Sequence, residues 1–260
     1  MNLIVFSKQD LASLNVLDKF EEAMGVSAEV GEVVKVSKGW SVFLSERDCI
    51  HSGEIVEKIG ADLTLFVSRH SSSSGKPTLS VHTPGEICSK DLPYSSPRES
   101  WFLLRFMYEK ASDLGISYDV CYEATHHGPN IPRRMTFIEI GSDEKAWTDP
   151  VAGEILASAI ISLVEREKLP NTENFLGIGG PHYAPNFTKV ALSTEVSLGH
   201  IVPKYKLELL NEDCLEELLE RSFSDKILID WKGTTRECRE FLSDFCLSRG
   251  LEIKKTKEVV

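Results

Sequence analysis

"FLGIGGPHYAPNF", residues 175–187, sets the reading of the whole chain. Its first half is a short apolar run, which reads as a buried strand. Gly179 and Gly180 then make a tight turn, and the chain enters a helix. A strand feeding a helix is the repeating unit of α/β folds. The turn also holds His182 and Tyr183 on a constrained backbone. They sit there either as packing residues or because something must be held in place for chemistry.

The same alternation recurs on both sides of this stretch. "NLIVFS" (2–7), "DLTLFVS" (62–68), "TLSVHTPG" (78–85), "YDVCYEA" (118–124) and "MTFIEIG" (135–141) read as strands. "EVVKVS" (32–37) and "WSVFLS" (40–45) form a hairpin across Lys38-Gly39. Leu11, Leu14, Leu17, Phe20 and Met24 keep near-helical spacing after Asp10. Further helices are expected over 99–115 and from the Asp149 cap and Pro150 to about residue 168. The last is apolar nearly all round at 155–164 and should be buried. "SLGHIVP" (197–203) and "KILIDW" (226–231) are later strands, with helices near 212–222 and 235–248. The pattern predicts a single α/β domain over 1–260, a layered sandwich with a mixed, largely parallel sheet. The serine-rich loop 71–74 and the Pro/Ser stretch 91–98 read as site loops rather than domain boundaries.

Composition narrows the function classes. Of 260 residues, 42% are hydrophobic and 27% charged, the balance of a soluble globular protein. The longest apolar run, 155–164, is too short to span a bilayer, and "MNLIVFSKQD" lacks a basic leader, so a cytoplasmic protein without membrane contact is expected. The six cysteines form no CxxC pair and read mostly as small buried hydrophobes. A net charge of −11 argues against nucleic-acid binding through a whole basic face, and no DNA partner is expected. Local basic patches remain available at Arg133–Arg134, Lys189, Lys204–Lys206 and "KKTK" (254–257).

Six of the seven histidines, all but His51, fall at or near strand ends: His70, His82, His126, His127, His182 and His200. Ligands of open α/β sheets bind beyond the carboxyl ends of the strands, so these loops should bring several rings together. "EATHHGPNIPRR" (123–134) adds Glu123 between strand and loop, and Glu139 lies on a strand of its own. Imidazole and carboxylate are the ligands of catalytic zinc, although no compact motif such as HExxH is present. The residues alone point to a metal-assisted or histidine-assisted hydrolase.

Four separated stretches, "EATHHGP" (123–129), "TFIEIGS" (136–142), "GGPHYAPNFTKVAL" (179–192) and "GHIVPKY" (199–205), resemble the archaeal and plant type of D-aminoacyl-tRNA deacylase. The resemblance covers essentially the whole chain. It implies a monomeric hydrolase of the ester between a D-amino acid and tRNA, tolerant of many side chains and rejecting L-aminoacyl-tRNA. It also implies one or two zinc ions and a three-layer, phosphorylase/hydrolase-like fold similar to zinc exopeptidases and peptidyl-tRNA hydrolase. In that setting His182, His126 and Glu123 hold zinc or orient water, with His82 and His127 the next candidates. Glu139 is a further ligand or a general base, so His182, Glu139 and His127 are the expected catalytic set. The N–H groups of Gly179 and Gly180 are expected to bind an oxyanion or phosphate. Tyr183 and Lys204 would meet the terminal adenosine, Arg133 and Arg134 the acceptor stem, and His70 and His200 the substrate. Two rivals use the same residues: a zinc amino- or carboxypeptidase-like hydrolase, and a non-catalytic tRNA- or nucleotide-binding module.

Overall fold

The computed structural model describes all 260 residues. In chain order the strands are β1 (Asn2–Ser7), β2 (Val33–Ser37), β3 (Trp40–Ser45), β4 (Leu63–Arg69), β5 (Thr78–His82), β6 (Asp119–Tyr122), β7 (Met135–Gly141), β8 (Glu173–Ile178), β9 (Val196–Val202), β10 (Lys226–Ile229) and β11 (Glu252–Lys255). The helices are α1 (Leu11–Met24), α2 (Gly53–Ile59), α3 (Pro97–Asp113), α4 (Glu144–Trp147), α5 (Pro150–Glu165), α6 (Pro185–Ser193), α7 (Glu212–Arg221), α8 (Arg236–Arg249) and α9 (Thr256–Val259). The α/β class and the mixed, mostly parallel sheet are as expected. The alternation does not reveal that the strands divide between two sheets. One has seven strands in the order β2-β3-β1-β4-β7-β5-β6, and the other has four in the order β11-β10-β8-β9.

The second sheet is wholly parallel. The first is parallel from β3 through β7, but β5 pairs with β7 antiparallel, so strand direction reverses there. Strand alternation separates its faces. Leu65, Val67, Leu79, Val81, Ile138 and Ile140 join the largest core, which also takes in residues of α1, α3 and α5. On the opposite face Ser68, Glu139 and Ser80 stand level on adjacent strands, making a polar row across the sheet. Phe66 and Phe137 lie one step below it and stack at 4.7 Å.

Hydrogen bonds across the gap tie the second sheet to the first. Ala124 N–H donates to the His182 carbonyl at 2.8 Å and Thr125 N–H to Ile201 at 2.9 Å. Tyr122 N–H donates to Thr188 Oγ1 at 2.9 Å. The segment leaving β6 is thereby held against both the β8 turn and β9.

Three features go beyond the sequence reading. Cys88 and Cys214 form a disulfide joining the loop after β5 to α7, while the other four cysteines are free and buried. The 91–98 stretch is tucked in rather than open, with Leu92, Ser95 and Ser96 fully buried and Ser95 N–H donating to Arg221. The basic tail also has a structure that its charges hid, since 252–255 forms an edge strand beside β10.

The glycine turn after β8 is a close backbone crossing. Gly179 has φ +104°, and a Cβ there would lie 2.7 Å from Thr234 Cγ2 and 3.0 Å from the Asp230 carbonyl. Gly115 also has positive φ (+64°) but opens onto free space. Gly179→Ala should therefore destabilise the fold by roughly 2–3 kcal/mol, against about 1 kcal/mol for Gly115→Ala. Thermal melting of the two variants, at roughly 2–4 °C per kcal/mol, checks the difference.

Candidate active site

The loops and the polar row converge where the strand direction reverses. Glu123 lies just past β6, with its side chain fully buried, and Glu139 rises from the middle of β7. Three imidazoles face Glu123 Oε2: His182 Nε2 at 3.0 Å, His70 Nδ1 at 3.2 Å and His126 Nε2 at 3.6 Å. Glu139 Oε2 faces His82 Nε2 at 3.5 Å and His70 Nδ1 at 3.6 Å, while Ser68 Oγ donates to its Oε1. His127 completes the group, its ring 4.3 Å from His126 and 4.9 Å from His82. The residue has φ +42°, a left-handed conformation unusual for a side chain of this size. Gly141 makes room for His70, since a Cβ there would lie 3.2 Å from that ring.

The surroundings set the tautomers. His126 Nδ1–H donates to the Ala124 carbonyl at 2.8 Å and His127 Nδ1–H to Gly128 at 2.6 Å. Burial, reinforced by the neighbouring His82, lowers these two rings to about 3 and about 4, so both are neutral near pH 7. Each therefore presents an Nε2 lone pair to the cavity. This is the arrangement of a metal-binding histidine oriented by a backbone carbonyl. For His70, burial opposes the charged ring, but the adjacent carboxylates of Glu123 and Glu139 outweigh it and push its pKa up to about 11. Burial would raise both carboxylates, yet the imidazoles of His182, His70 and His82 beside them hold them below the ordinary range.

Several donor atoms are left without partners. Glu123 Oε1, Glu139 Oε2 and both ring nitrogens of His82 are buried and make no hydrogen bond. The donor atoms of His70, Glu123, His126 and His182 lie within 4.8 Å of one another. Two overlapping groups, His82 with Glu123 and Glu139, and His82 with His126 and His127, meet the same limit.

Of the residues singled out in the sequence, this brings together Glu123, Glu139, His82, His126, His127 and His182. His70 joins them at the carboxylates rather than at a separate substrate position, and its Nε2–H donates to the Tyr183 hydroxyl at 2.9 Å. His200 does not belong here. It is fully buried, bonded to Thr125 Oγ1 and to the Pro93 carbonyl, and burial lowers its pKa to about 4. Its place inside β9 makes it a tie between loops, out of reach of a ligand. The glycine N–H groups are also committed, Gly179 to Val202 and Gly180 to Gly233, so neither is free for an oxyanion or phosphate. Lys204 N–H donates to the Gly180 carbonyl, which places this lysine beside the turn. Arg134 pairs with Glu99 at 3.0 Å at the entrance of β7. From there to Glu139 is about 16 Å along the strand, so Arg133 and Arg134 lie away from the carboxylates. The sequence reading did not find Ser68 or Tyr205, whose hydroxyl lies 3.4 Å from His182 Nδ1. Ser68 leaves no local signal, since only register places it against Glu139. Tyr205 follows Lys204 in a motif already noticed and could have been found there.

Residues 57–254 match the family model of D-aminoacyl-tRNA deacylase. The D-aminoacyl-tRNA deacylase of Methanocaldococcus jannaschii is 32% identical over 96% of this chain and 97% of its own length. That of Thermococcus kodakarensis is 35% identical over 97% of this chain and 98% of its own length. A crystal structure of a conserved protein of unknown function superimposes with a TM-score of 0.90 at 29% identity, over 100% of this chain and 96% of the other. With a matching model over most of its length and relatives that align from end to end, the chain belongs to the D-aminoacyl-tRNA deacylase family.

Proposed function

We propose that this chain hydrolyses the ester between a D-amino acid and the terminal ribose of tRNA, accepts a broad range of side chains and spares L-aminoacyl-tRNA. The observation that carries the chemistry is the buried Glu123 carboxylate facing three imidazoles, with unpartnered oxygen and nitrogen atoms around it. The clustered imidazole and carboxylate atoms of this group fit a zinc ion. His70, Glu123, His126 and His182 are the residues that would hold it. Zinc, when bound to such a set, supplies Lewis acidity and eases the ionisation of water.

The chain's own groups account for the proton movements. Glu139, held at Oε1 by Ser68, turns Oε2 toward the cavity. That oxygen accepts a proton from the attacking water and returns it to the departing ribose oxygen. The neutral Nε2 of His127 accepts a hydrogen bond from the same water and orients it. His182, fixed between Glu123 and Tyr205, keeps the site in register with the turn that carries it. The surrounding loops keep the group largely out of bulk water, which strengthens every charge interaction within it. The zinc peptidase and non-catalytic readings gain no comparable support.

The primary test is release of free tyrosine from D-tyrosyl-tRNA, with L-tyrosyl-tRNA alongside, before and after chelation. D-selective release, lost with chelator and restored by zinc, is expected. Release from neither ester sends the reaction to another substrate class. Release that ignores chelation removes zinc and leaves the hydrolase.

Glu139→Gln keeps the shape of the side chain and removes the proton acceptor. The turnover of D-tyrosyl-tRNA should fall about 10²–10⁴-fold while zinc content, read by elemental analysis, is retained. Glu123→Gln should lower the zinc content itself.

A further inference from the structure

Two clefts meet at His182, and their linings differ in kind. One, of about 380 Å³, is polar and holds Asp10, Asp48, Ser68, Arg69 and Glu139 on the carboxylate side. The other is about 860 Å³ and runs between the exposed edge strand β6 and helix α6. Tyr108, Tyr118 and Tyr183 line it, with Lys76, Lys189 and Asp119. Tyr108 is 49% exposed on α3. Tyr118 is fixed by its hydroxyl, which donates to Asp149 at 2.7 Å. Lys76 and Lys189 are exposed, and the lysine ion pairs of this chain involve neither of them.

We infer that the larger cleft binds the single-stranded 3′ end of the RNA, the terminal nucleotides that carry the ester. The inference rests on the deacylase reading above. An ester joining an amino acid to a ribose places one component on each side of the reacting carbonyl. The smaller cleft, which holds Glu139, is then left for the amino acid. The larger one offers what an unpaired nucleotide needs: aromatic faces for bases, and cations for phosphates in an otherwise acidic protein. Asp119 matches this chemistry as well, because the exocyclic amino groups of cytosine and adenine donate to carboxylates. Val120 and Leu192 add apolar surface that suits the faces of the bases. The RNA approaches along α6 and β6, not past Arg133 and Arg134 at the far end of β7.

Binding and turnover separate this proposal from the reaction it rests on. The trinucleotide CCA is titrated into the full-length protein and followed by calorimetry, an assay that needs no catalysis. Tyr108→Ala should weaken it at least about fivefold, as loss of one stacked base does, and Lys189→Glu should weaken it further. In turnover of D-tyrosyl-tRNA both changes should appear mainly as a raised KM. Lys58→Glu, an exposed charge change on α2 remote from the cleft, serves as the control and should leave KM unaltered. Wild-type protein that cleaves D-tyrosyl-tRNA with a KM indifferent to Tyr108→Ala and Lys189→Glu would overturn the cleft assignment while leaving the reaction intact. A KM that rises with Arg133→Glu instead would move the RNA to the opposite side. If no ester is cleaved, the reaction fails by itself, and CCA binding still decides the cleft. Absence of CCA binding in the wild type overturns the assignment.

Discussion

Two carboxylates buried within one cavity are the constraint around which the site is built. Removing an ionised carboxylate from water costs several kcal/mol after all relaxation, and two of them close together repel. Glu123 and Glu139 are 1% and 2% exposed. They stay ionised because His182 faces Glu123, His82 faces Glu139, and His70 bridges both. Charge on His70 balances the pair. A divalent cation could take over that balance, which is why the same geometry suits a metal.

Assembling such a group demands precise delivery, and the fold supplies it at a reversal. β7 runs parallel to β4, while β5 and β6 run the other way. All three stand at the carboxyl ends of their strands, so His70 after β4 reaches Glu139 from one side, and His82 at the end of β5 and Glu123 after β6 reach it from the other. The second sheet adds His182 from its own glycine turn. The backbone bonds from Ala124 to His182 and from Thr125 to Ile201 fix the two sheets in register at this point. The close crossing of Gly179–Gly180 with 230–234 then sets the direction of the turn. In this arrangement the glycines serve packing, and their N–H groups are used up in doing so.

The residue types of the site were legible in the sequence; their grouping was only partly so. Strand patterns placed histidines near strand ends, and Glu123 beside His126 and His127 was visible in one loop. His70 and His82 could not be assigned to particular partners, because that depends on strand order, and β5 lies between β7 and β6 rather than beside β4. His200 misled for a related reason. Its position near a strand end resembles the others, but β9 is covered on both sides and the ring is enclosed. The second sheet escaped notice because a parallel pair is local in neither sequence nor composition. The edge strand β11 was hidden by its lysines, which are the residues expected on an exposed edge.

The acidic net charge is compatible with an RNA substrate once the contact is confined to its end. Affinity for duplex grows with the number of phosphates neutralised, and a protein of charge −11 is ill suited to cover many. A single-stranded terminus presents few phosphates and exposes its bases. Stacking can then supply affinity that does not depend on a basic face. The cleft beside His182 has that composition, with three tyrosines and two cations free of carboxylate partners. Negative charge elsewhere disfavours the rest of the RNA.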